Sequence, residues 1–229
     1  MIRKEGRGEH MLEILYDDAQ LVVCVKPAGV AAQGEAPNAM PRLLSAQLGC
    51  PAVYPVHRLD QIVGGVMVYA KTQPSAAALS RQMQSGEFQK EYLAVLRGAP
   101  EKREDTLCDV LYHDRVKNKT FVVRKQRPGA REARLGYTRC QCVCDGANVL
   151  SLVRVRLYTG RTHQIRAQFA SRKLPLLGDG KYGGGDNRCA CALWSYRLRF
   201  SHPKSGADMT FAKLPPEGFP WRLFSMEDI

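Results

Sequence analysis

Four consecutive residues, His57-Arg58-Leu59-Asp60, bring an imidazole, a guanidinium and a carboxylate together. An ionised carboxylate on such a loop can act as a nucleophile or a base. Gly64 and Gly65 follow, then the apolar run Val66–Ala70, closed by Lys71. The run is short, β-branched and bounded by glycine, which predicts a buried strand with Asp60 on the loop that feeds it. Chemistry is commonly carried on loops held by a rigid scaffold. The glycines let a ligand or another backbone approach closely. Taken alone, the same residues also suit a charged loop ahead of a core strand.

Two further places carry reactive side chains. In Phe88–Leu96, read as a strand, Tyr92 offers a flat face and a phenol able to relay a proton; it also suits a half-buried strand tyrosine. In Thr159–Arg166 the apolar period changes from two to about four, so Arg161 falls where a strand turns into a helix. An arginine there also suits a phosphate contact at a helix N-terminus.

The elements that must position these residues are short. Ile14–Tyr16 and Leu21–Val25 read as strands around a turn, and Arg42–Leu48 as a short helix. Pro74 opens a helix with Leu79 and Met83 on one face, and Gly86 stops it. Residues 101–134 show little periodicity and a dense basic run from Arg115 to Arg134, expected either as a solvated loop or as a surface that meets phosphates. Leu135–Cys144 and Val149–Tyr158 alternate around Asp145-Gly146, a hairpin. Leu174–Gly185 reads as a glycine-rich loop holding Asp179, Lys181 and Tyr182. Trp194, Tyr196, Leu198 and Phe200 alternate strictly, which predicts a last strand with one wholly apolar face. Phe211 and the tail through Trp221 are expected to close the core. Many strands and few helices argue an α+β fold with a largely antiparallel sheet.

Composition narrows the partners. The net charge of +12 implies a polyanion, with nucleic acid the first candidate. No apolar run reaches transmembrane length, and residues 1–10 lack the apolar core of a signal peptide, so a cytoplasmic, monomeric protein is expected, with residues 1–10 flexible and 11–229 forming one catalytic domain. Among the eight cysteines, Cys140, Cys142 and Cys144 alternate, as do Cys189 and Cys191. This is not the spacing of a structural zinc site, and alternating cysteines on one strand face are expected to act as small apolar residues.

Six blocks in order carry a family resemblance: LVVCVKPAGV, HRLD, KEYLAVLRG, TGRTHQIR, PLLGDGKYG and YRLRFSHP. The chain resembles the RluA-type pseudouridine synthases from Ile14 to about Phe224. The resemblance implies the pseudouridine synthase fold, with flanking helices and a central catalytic cleft. It also implies isomerisation of uridine in rRNA or tRNA, from an N1 to a C5 glycosidic link, without metal or cofactor. By the same resemblance Asp60 is the catalytic aspartate, Tyr92 packs against the target base, and Arg161 pairs with the aspartate. Arg58 is expected near the space left by the flipped nucleotide, with His57, Lys71, Gln164 and Arg166 as further RNA contacts. The chain departs from the pattern at Val63-Gly64-Gly65, where the family usually has Thr-Ser-Gly. It begins almost directly with the catalytic domain, so no N-terminal S4 domain is expected. The alternative is an RNA-binding protein on the same fold with weak or no catalysis; an unrelated aspartate-nucleophile hydrolase is a third possibility.

Overall fold

The computed structural model describes residues 11–227 and 229; the flexibility expected of residues 1–10 lies outside them. The chain runs β1 (Ile14–Asp17), β2 (Leu21–Lys26), α1 (Met40–Leu48), β3 (Tyr54–Pro55), β4 (Gly64–Ala70), α2 (Gln73–Ser85), β5 (Gln89–Arg97), β6 (Glu104–Asp114), β7 (Lys119–Val123), β8 (Ala130–Asp145), β9 (Asn148–Leu157), α3 (Gln164–Ala170), β10 (Leu193–Ser201) and β11 (Asp208–Ala212). Among the described residues the strands form one 11-stranded sheet in the order β1-β2-β4-β10-β5-β9-β8-β6-β7, with β3 paired to β4 and β11 to β10. Only β4 and β10 pair in parallel; every other ladder is antiparallel. The α+β expectation therefore holds. No described helix is long and apolar enough to cross a membrane.

Every residue of β4 is buried, as its unbroken apolar run requires. β2 covers one edge, and β10 meets the other through Gly64 and Gly65. These glycines admit neighbouring protein. A Cβ on Gly64 would lie 2.5 Å from the Trp194 ring, and one on Gly65 would lie 2.3 Å from the Ser195 carbonyl oxygen, at a φ of +119°. Gly64→Ala is therefore expected to destabilise the fold by about 1–3 kcal/mol through overpacking. Gly65→Ala should cost more, because it meets backbone and adds left-handed strain. Urea unfolding of the two variants checks both the size and the order.

Helix α2 follows its local signals. The Thr72 side chain caps it by accepting from the Ser75 N–H at 3.2 Å, and Gly86 ends it at φ +82°. Its Leu79 packs with Val66, Val68, Leu198 and Phe200 in one apolar cluster.

Three expectations need correction. Residues 101–134 are mostly strand: β6, β7 and the start of β8. Of this arm's side chains only a few, such as Leu107, Leu111 and Ala133, are buried apolar groups, so the basic residues mask the alternation. The stripe on β10 does not stay on one face. A bulge between Ser195 and Arg197 switches the strand over, placing Trp194 and Tyr196 in the cluster covered by the C-terminal segment and Leu198 and Phe200 against α2. A second bulge, between Arg139 and Gln141, leaves Cys140 partly buried against an apolar cluster but Cys142 and Cys144 exposed.

Candidate active site

Asp60 sits on the connection between β3 and β4, with its side chain 25% exposed. Its backbone carbonyl accepts from the Val63 N–H at 2.9 Å, a tight turn into β4. Beneath the loop lies Lys26, wholly buried at the end of β2. Its Nζ donates to the carbonyls of Pro27, Val30 and Gln61 at 2.8, 2.6 and 3.2 Å, tying the residue after Asp60 to the β2 loop. Burial lowers this ammonium to about 8, against the pull of Asp60.

The carboxylate meets α3. Arg166 Nη1 donates to Asp60 Oδ2 at 2.8 Å. The rest of the guanidinium fork is taken by Asp179, with Nε to Oδ2 at 2.6 Å and Nη2 to Oδ1 at 2.8 Å. Arg166 and Asp179 are 3% and 1% exposed, so this is a buried bidentate pair. Burial opposes the charge of Arg166, but hydrogen bonds and charge from Asp179, then Asp60, outweigh it and hold the guanidinium above the usual arginine range. Its carbon lies 5.0 Å from the centre of the Tyr182 ring. Tyr182 Oη accepts from the Thr120 N–H at 2.7 Å and lies 3.0 Å from His163 Nδ1. His163 Nε2 is 3.7 Å from Asp60 Oδ2; burial pushes this imidazole down, so the contact is between a neutral ring and a carboxylate. Asp60 Oδ1 has no hydrogen-bond donor among the described residues.

The pairing of Arg161 with Asp60 is therefore corrected. His163 caps α3 in the left-handed region at φ +52°, which reverses the chain and turns the buried face of α3, not the preceding turn, toward Asp60. Arg161 stays on the cavity wall, its Nε donating to the Glu132 carbonyl at 2.9 Å. Gln164 braces that turn, accepting from Thr159 Oγ1 and the Arg161 N–H and donating to the Arg134 carbonyl, at 2.8, 3.0 and 3.1 Å. Gln164 and Arg166 are both 3% exposed and line the cavity, with their polar atoms engaged within the protein. Lys71 lies at the far end of β4, ion-paired with Asp17, outside the cavity. Arg58 is exposed on the rim, donating to Thr162 Oγ1.

His57 lines the cavity, but its Nε2 accepts from the Val68 N–H at 3.2 Å, while Nδ1 is buried without a partner among the described residues. Part of the residue is exposed, yet neither nitrogen is free to gain a proton without loss. Burial, helped by Lys90, lowers the ring to about 3. The unfolded chain takes up this proton below its ordinary value of 6.5 and the native chain does not until about 3. The stability is thus complete above the first value and lost as pH falls through the window. A loss of about 1–2 kcal/mol by roughly pH 5 is expected from this group. His57→Gln, which keeps an acceptor but does not titrate, should flatten that part of the acid-unfolding curve measured in urea.

These groups surround a cavity of about 250 Å³ lined by Asp60, Tyr92, Val63, Leu157, Ile165 and Leu193, with cations at its edge. Tyr92 is 5% exposed, and burial, then the charge of Asp60, pushes its phenol up, keeping it protonated at neutral pH. Asp60, Tyr92 and Arg161 are thus brought to one cavity, whereas Lys71 is not. Asp179, His163, Tyr182 and Lys26 were not anticipated in the site. Their only signal was membership of the PLLGDGKYG, TGRTHQIR and LVVCVKPAGV blocks.

A carboxylate braced by a buried arginine, beside a partly apolar cavity edged by cations that have no carboxylate partner among the described residues, fits chemistry on a base delivered by a polyanion. Comparison with known proteins agrees. The sequence profile described as RNA pseudouridylate synthase matches residues 20–171, which include Asp60, Tyr92 and Arg166. The chain is 31% identical to an uncharacterized RNA pseudouridine synthase of Aquifex aeolicus, over 91% of this chain and 71% of that protein. It is 32% identical to the ribosomal large subunit pseudouridine synthase D of Xanthomonas campestris pv. campestris, over 90% of this chain and 66% of that protein. It is 32% identical to the uncharacterized RNA pseudouridine synthase YhcT of Bacillus subtilis, over 84% of this chain and 65% of that protein. The fold is shared with human RNA pseudouridylate synthase domain containing 1, at a TM-score of 0.78 and 21% identity over 93% of this chain and 87% of that one. On the extent of these matches, the chain belongs to the RNA pseudouridylate synthase family, whose members are isomerases.

Proposed function

We propose that the protein converts uridine to pseudouridine in RNA, with Asp60 as the reacting group. The observation that carries this reading is the Asp60 carboxylate: Oδ2 is held by Arg166 while Oδ1 is left without a donor at the cavity. The free oxygen has the lone pairs to attack the uracil ring or to assist departure of the base from the sugar. Re-joining through C5 then releases the C5 proton and leaves N1 protonated, so no atom is gained or lost. Tyr92 supplies a face for the ring and, with its phenol protonated, an O–H donor. Arg166 orients the carboxylate, and Asp179 and Lys26 hold Arg166 and the loop.

A stacked uridine must leave its helix to enter such a cavity, at a cost of a few kcal/mol. Phosphate contacts by Arg58, Lys90 and Arg161 at the rim would offset part of that cost. The names of several relatives, ribosomal large subunit pseudouridine synthase D, support ribosomal RNA as the first substrate to test, ahead of transfer RNA. The test is incubation of uridine-labelled, unmodified ribosomal RNA with the protein, followed by nuclease digestion and chromatography. A pseudouridine peak is expected. RNA binding with no pseudouridine in either ribosomal or transfer RNA would overturn the reading.

A further inference from the structure

We propose that Tyr158, with Arg134 and Arg156, forms a second RNA contact, taking an unpaired base and its phosphates on the strand that flanks the target uridine. This rests on the reading of the protein as an RNA-modifying enzyme. Tyr158 follows the last residue of β9 and is 46% exposed, unusual for a large aromatic group. Its ring packs at the hydroxyl end over Gly136, where a Cβ would lie 3.3 Å from Oη. The guanidinium carbons of Arg134 and Arg156 lie 4.7 and 5.5 Å from its centre. Neither guanidinium has a hydrogen-bond or carboxylate partner among the described residues. An exposed ring flanked by unpaired arginines is the combination that binds single-stranded RNA through stacking and phosphate contacts.

The ring is connected to Asp60. A groove of about 420 Å³ shares Met83, Lys90, Leu157, Gly160 and Arg161 with the Asp60 cavity, and its other end is lined by Arg156 and Tyr158. The charged side chains lining this groove are cationic, Lys90, Arg156 and Arg161, although Arg156 and Tyr158 also border a hollow that holds Glu91, Glu104 and Asp105. Arg58, Lys90, Arg161, Arg156 and Arg134 have no carboxylate partner among the described residues, so their charge is available to phosphates. The side chains of Lys90 and Arg161 would lead the backbone from the flipped nucleotide to the tyrosine.

The test uses the full chain and a fluorescein-labelled, mixed-sequence single-stranded RNA, with a fully abasic strand of equal length as control. Tyr158→Ala should weaken binding of the RNA by about ten- to a hundredfold and binding of the abasic strand by less than about twofold, while Tyr158→Phe stays within about twofold of native. Arg156→Gln should weaken both strands and reduce the salt slope by about one phosphate contact. Tyr158→Ala binding RNA within about twofold of native, or losing affinity equally for the abasic strand, would overturn the proposal. Pseudouridine formation is followed on the same preparations. No product together with a base-dependent Tyr158 effect would sink the catalytic reading and leave this one standing. Product together with an indifferent Tyr158 would do the reverse.

Discussion

Asp60→Asn is expected to reduce pseudouridine formation by at least about 10³-fold while RNA affinity stays within a few-fold of native. The substitution keeps the shape of the side chain and an oxygen for Arg166, so the loop should be retained. What is lost is a carboxylate oxygen, on a residue that lines the cavity, that has no hydrogen-bond donor among the described residues. Affinity should survive because the exposed cations near the cavity, Arg58 and Arg161, are untouched. The measurement is product per unit time on ribosomal RNA at saturating concentration, beside a filter-binding titration of the same variant. Turnover within about tenfold of native would remove Asp60 from the reaction. Parallel loss of binding would instead make it an RNA contact.

Asp179→Ala is expected to destabilise the native state by about 3–5 kcal/mol, because it strands one side of a buried charge pair. Arg166 donates two bonds to Asp179 and is 3% exposed, so no water can replace the carboxylate without opening the core around α3. The same change loosens the arginine that orients Asp60. At a temperature where the variant remains folded, the turnover number should fall by about tenfold or more with little change in KM. Asp179→Asn, which keeps one acceptor for the fork, should recover part of both losses. A variant that unfolds earlier but turns over normally once folded would confine Asp179 to stability. Arg161→Gln is the contrast: among the described residues its guanidinium is held only by the Glu132 carbonyl, so its loss should appear in KM and in the salt dependence.

The local elements were legible because local chemistry makes them. The unbroken apolar run of β4, the Thr72, Pro74 and Gly86 signals of α2, and the Asp145-Gly146 hairpin each appear where their residues predict. The β6–β7 arm was not legible, because basic side chains with few buried neighbours obscure its period. The β10 stripe misled because one bulged residue exchanges the two faces of a strand, and nothing within the stripe marks it.

From its residues alone the chain reveals its family, its α+β class and the loop from which Asp60 is presented, since these depend on blocks of neighbouring residues and their spacing. Only the tertiary structure decided which arginine meets that aspartate. Arg161 and Arg166 are both in the TGRTHQIR block, and the contact that separates them spans 106 positions. It depends on the left-handed turn at His163 and on the buried fork to Asp179, whose partners come together only when α3 docks against the sheet and the loop before β10. Periodicity records which face of an element is buried; it does not record what waits on the other side.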